Sequence, residues 1–128
     1  MKLVSPISQI LVALEKAKLG VEPVNRRIRH LHDQEKKYPP EFFDLTGHAS
    51  LHDLEDYYHE ALKVIEAWRN GVDSVLKDLA KITNRMPEKG AVLHEIQEKL
   101  SGYRRDLTAY PNLLNKSHEA ERKRFGSH

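Results

Sequence analysis

The sequence contains no cysteine, which excludes disulfides, thiolate metal sites and cysteine nucleophiles and accords with a reducing compartment. Aromatic residues make up only 7% of the chain, with a single tryptophan, a composition poor for sheets. The longest compact apolar run near the start, Ile10 to Leu14, is too short to cross a bilayer or to form a signal-peptide core. No membrane insertion is expected, and the chain reads as a cytoplasmic protein. A glycine-rich phosphate loop is missing, as is any serine-histidine-acid arrangement recognisable by spacing. No catalytic residue, cofactor or metal ligand is therefore assigned.

What the chain does have is helical patterning. Leu51, Leu54, Tyr58, Ala61, Ile65, Trp68, Val72, Val75, Leu79, Ile82 and Met86 alternate at three and four residues. That is the heptad seam of a long helix packed against long neighbours. At 1.5 Å per residue it predicts a rod of roughly 54 Å, which must be covered along one face to be stable. Ser50, with Asp53 three residues on, gives a capping-box-like start, and Asn84 with Pro87 stops it. Gly71 is the weak point inside this rod and marks a close approach by a neighbouring helix.

Two further seams supply the cover. The first runs Ile7, Ile10, Leu14, Ala17, Val21, Val24, Ile28 and Leu31 behind a Ser5-Pro6 start. Its phase survives Gly20 and Pro23, so the spacing predicts two collinear or bent pieces rather than a reversal. The third runs Leu93, Ile96, Leu100, Tyr103, Leu107, Tyr110 and Leu114, again through a proline, Pro111, and then fades into a charged end. Glu119 to Arg124 is expected to fray. Between the first two seams, Tyr38-Pro39-Pro40 breaks the helix, while Phe42, Phe43 and Leu45 predict a connection folded back over the bundle.

The expected fold is thus all-α: an up-down-up antiparallel bundle of three long helices, four if the first is broken at Pro23, with coiled-coil-like packing. Residues 1–125 are expected to form a single helical domain, with 126–128 a disordered tail or cloning remnant. In outline the pattern resembles the three-helix repeats of cytoskeletal coiled-coil proteins, and also the bent helices of membrane-curving dimers.

Charge is unevenly spread. Residues 1–37 carry a net +4, residues 38–86 a net −4 and residues 87–128 a net +2. An acidic middle favours packing between basic flanks, and the basic groups also form a candidate surface.

Three function classes follow. The first is a non-catalytic helical interaction, scaffold or adaptor module, its partner another protein or a second copy of itself. Tyr57, Leu62, Val64 and Leu76 widen the apolar face of the central rod beyond its seam, and any part left uncovered would bind a partner. The second is binding of nucleic acid or another acidic surface through Arg26, Arg27 and Arg29 with Arg104 and Arg105. The third is a helical metal protein or nuclease. The spacing Arg27-x4-His32 resembles helical ribonucleases that pair these residue types at a dimer interface, but the residue after Arg27 is the apolar Ile28. His52, Asp56 and His59 share a helical face, yet heptad positions put the rod histidines outside the core, against an interior metal centre.

Overall fold

The computed structural model describes residues 3–126. It contains four helices, α1 (Ile7–Lys16), α2 (Glu22–Lys37), α3 (Leu51–Thr83) and α4 (Gly90–Phe125), and two short 3-10 turns, Pro40–Phe43 and Pro87–Lys89. Among the described residues there is no strand. Ser127 and His128 of the expected tail lie outside the described residues.

The Ser5 hydroxyl accepts the Ile7 N–H at 3.2 Å, as the Ser5-Pro6 start implied. α1 buries Ile7, Ile10 and Leu14 and then stops well before Pro23. Lys18 adopts φ +52°, its N–H bonds to the Glu15 carbonyl, and the Leu19 N–H reaches back to Leu14 at 3.3 Å. This pair of backward bonds around a left-handed residue is a Schellman motif, which satisfies carbonyls that a helix end otherwise leaves bare. Pro23 falls in the first turn of α2, where its missing N–H costs nothing.

The chain reverses there, which corrects the expectation of collinear pieces. Ser5, ahead of α1, donates to Glu35 near the far end of α2 at 2.8 Å, so the two helices form an antiparallel hairpin. The unbroken phase was compatible with either outcome. Heptad spacing reports which side of each helix is buried, and folding a helix back on itself keeps that side buried.

Next comes the connection from Tyr38 to Ser50. Phe43 and Leu45 are buried, and Phe43 packs edge-on against Trp68 and Tyr110. It fills the space beyond the end of α2, as its apolar residues implied. α3 then starts with the Ser50 hydroxyl accepting the Asp53 N–H at 3.1 Å.

α3 and α4 pack along their lengths as an antiparallel pair, with Asp73 opposite Arg104 and Glu55 opposite His118. α2 runs antiparallel to α3, with Arg27 facing Asp78 and Tyr38 facing Trp68. The acidic central helix therefore lies between basic flanks, although these half-exposed pairs add little stability individually. Its core is the seam from Leu54 through Ala61, Ile65, Trp68, Val72, Val75 and Leu79 to Ile82. Each large side chain buried there contributes about 1.5–3 kcal/mol. Gly71 lies against Leu31 of α2, where an added Cβ would come within 2.8 Å of a Leu31 methyl, the close approach its position predicted.

α4 runs without interruption through Pro111 and remains helical to Phe125, which corrects the expected fraying of Glu119 to Arg124. The reason is visible in a second correction. His118, assigned by heptad position to the outside, is buried, its side chain only 7% exposed. It stacks on Tyr58 and bonds to Glu55, and that anchor holds the last turns against α3. Arg124 extends the hold by donating to the His48 carbonyl at 3.1 Å.

Candidate functional site

Alongside the Gly71 contact, between α2 and α3, lies a groove of about 560 Å³. Leu31, Tyr38, Val64, Trp68 and Gly71 line its apolar part, and Arg26, Arg27 and Lys63 supply cations along it, with His30 beside them, against one acid, Glu60. It follows the flank of α2 from Arg26 to the helix end at Tyr38 and faces Glu60 to Ser74 of α3.

Three of the sequence-predicted surface residues meet in this groove: Arg26, Arg27 and Val64. Arg26 is exposed, and Arg27 pairs with Asp78 at 3.4 Å. Val64 is buried at 6% exposure, its edge lining the groove. Arg29 lies away from it, paired with Glu22 at 3.9 Å. Leu62 is half-buried and lines a smaller cleft with Leu107 and Pro111, and Leu76 packs half-buried against the core. Tyr57, 43% exposed, sits between the rings of Phe42 and His48, 5.8 and 4.6 Å away.

The arginines of α2 and α4 are not brought into one strip. Arg27 reaches α3 at Asp78, whereas Arg104 reaches it at Asp73. Five residues along a helix is a rotation of roughly 140°, so the two groups flank α3 on different sides. Arg105 is exposed on α4. Of the histidines, His52 pairs with Asp56 at 3.3 Å and His59 with Glu55 at 3.6 Å. Among the described residues no group of three or more His, Asp or Glu is placed to hold a metal ion.

Sequence reasoning missed Glu35. It lies partly buried between Ser5 and Tyr103, accepting a hydrogen bond from each hydroxyl. Burial raises its carboxyl above the ordinary range despite those bonds, and the same burial together with the Glu35 charge raises the Tyr103 phenol. Asp44 is held below its ordinary value by hydrogen bonds from the Thr46 hydroxyl and N–H. Only the clustering of tyrosines on the seams hinted at this region, because Ser5, Glu35 and Tyr103 come from segments far apart in sequence.

No described helix is long and apolar enough to cross a membrane. No family model matches the chain, and no solved structure matches it. Over 120 residues, 94% of its length, it is 25% identical to the golgin IMH1 of Saccharomyces cerevisiae, of which it spans 13%. The chain is thus an all-α protein with distant similarity to one segment of a golgin.

Proposed function

We propose that this chain is a non-catalytic helical interaction module whose docking face is the groove between α2 and α3. The observation that carries the reading is the union of an apolar strip and a basic edge: Leu31, Val64 and Trp68 beside Arg26, Arg27 and Lys63. A partner helix with apolar anchors at helical spacing and an acidic flank fits that chemistry. Its anchors would pack on the edges of Leu31, Val64 and Trp68 that line the groove, and the acids would meet cations that steer the approach. Similarity to a golgin segment over nearly the whole chain supports a helical, protein-binding role. A cytoplasmic setting and a single domain over residues 1–125 belong to the same proposal.

Site-specific photocrosslinking tests it. A benzophenone amino acid is placed at Lys63 in the groove, or at His94 on α4, which does not line it, and the full chain is irradiated in host lysate. Discrete adducts from position 63 that vanish with Arg26→Glu and Arg27→Glu, and do not form from position 94, are expected. Adducts alike from both positions, or unaffected by charge reversal, would sink the proposal. Adducts of twice the chain mass would replace the foreign partner by a second copy.

A further inference from the structure

Beside the groove, sharing Tyr38 and Trp68 with it as a common wall, lies a cavity of about 380 Å³. Its remaining aromatic walls are Phe43, Tyr103 and Tyr110. The ring planes are steeply inclined: 63° between Tyr38 and Trp68, 69° between Phe43 and Trp68, and 87° between Phe43 and Tyr110. Rings so inclined meet as corners of a box. Two carboxylates, Glu35 and Asp44, line the same space. Among the described residues no lysine or arginine forms an ion pair with Glu35, and His32 is the cationic group that acts on it. Among the described residues, a partly buried carboxyl thus stands among aromatic walls with no lysine or arginine paired to it.

We infer that this cavity is a receptor for a methylated ammonium group. The faces of aromatic rings carry partial negative charge and attract a weakly hydrated cation, and the carboxylates supply the countercharge. A bare ammonium suits the box less well. It is a compact, strongly hydrated charge, and each Glu35 oxygen already accepts a hydroxyl hydrogen bond. An anion meets two carboxylates, and an uncharged guest leaves Glu35 uncompensated. The inference stands apart from the groove proposal, because it uses different polar groups.

The single tryptophan of the chain lines the cavity, so its fluorescence is a local reporter. The full chain is titrated with choline and with Nε-trimethyl-lysine amide. The uncharged isostere of choline, 3,3-dimethylbutan-1-ol, serves as the control. A saturable response to at least one cation is expected, with the alcohol about tenfold weaker or worse. Response to choline alone identifies a free small cation as the ligand. Response to the lysine derivative identifies a partner's modified side chain. Equal affinity for the alcohol, or no saturable response to either cation, overturns the inference. Glu35→Gln keeps the shape of the site and one accepting oxygen, its amide nitrogen donating to the Ser5 hydroxyl once that hydroxyl turns to accept, and should weaken the cation about tenfold without lowering the melting temperature. Tyr110→Leu should weaken it by removing one wall. Unchanged affinity in both variants also overturns the inference, because it assigns the response to the neighbouring groove, which shares Trp68.

Discussion

The imidazole of His118 lies flat on the phenol of Tyr58, ring centroids 3.8 Å apart and planes 8° from parallel. Around this stack His118 Nε2 donates to Glu55 at 2.8 Å, and the Tyr58 hydroxyl donates to Asn115 at 3.2 Å. Both bonds cross between α3 and α4, so a stack between two rings clamps the end of the helical pair. His118→Ala should cost about 1–3 kcal/mol, the worth of a buried charge-assisted hydrogen bond with its ring contact. Urea unfolding reads the loss, and hydrogen exchange should show it concentrated in residues 114–125.

Acid should loosen the same clamp. The His118 hydrogen bond is the main reason the Glu55 carboxyl lies below its ordinary value of 4.5, with lesser help from the charges of His118, Arg122 and His59. A carboxyl depressed on folding contributes stability that is full above its unfolded value and lost as pH falls through the lower folded value. Melting temperature followed from pH 6 downward should therefore fall more steeply for the parent than for Glu55→Gln. Parallel profiles would show that the pair contributes nothing.

Glu35 has the opposite sign. Its folded value is raised by burial, so keeping it ionised opposes folding above that value, and the penalty disappears below the unfolded one. Glu35→Gln should therefore melt slightly higher than the parent at neutral pH, the difference closing as pH falls below 4.5. A more stable variant that binds less well is the signature of a charge kept for a ligand rather than for the fold.

Lys18 is left-handed at the end of α1, a conformation that costs an L-residue roughly 1–2 kcal/mol and glycine almost nothing. Lys18→Gly should stabilise the chain by about 0.5–1 kcal/mol after the entropy of an added glycine is counted. Thermal unfolding of the two proteins checks this, and a destabilised variant would contradict the Schellman assignment.

Gly71 and Leu31 are coupled. Leu31→Ala alone should cost about 2–4 kcal/mol, as burial and a cavity at the α2–α3 contact imply. Gly71→Ala trades a helix-propensity gain of about 1 kcal/mol against crowding of the Leu31 methyl. In the Leu31→Ala background that crowding vanishes, and Gly71→Ala should become stabilising. The double-mutant cycle should therefore give a coupling of about 0.5–3 kcal/mol.

The helical class, the seams of α3 and α4, the cap at Ser50 and the folded-back connection were all legible in the sequence. Each is written in a local pattern: a repeat near 3.5, a hydroxyl before an acid, or two phenylalanines where a linker needs none. The groove was half legible, since Arg26, Arg27 and Val64 stood out singly but nothing local joined them. His118 was misplaced because heptad bookkeeping assumes a strict 3.5 repeat. From Tyr110 the inward residues run Leu114, then His118: after Leu107 the steps become three, four and four, the eleven-residue spacing of a helix following its own 3.6 periodicity.

By itself, then, the sequence determined which faces must be buried, because amphipathic periodicity is a property of one helix at a time. Only the tertiary structure decided the reversal between α1 and α2, the burial of His118 and the meeting of Glu35 with Tyr103. Direction and partnership are settled by long-range packing, and a repeat that reads the same for a straight rod and a folded hairpin contains no record of them.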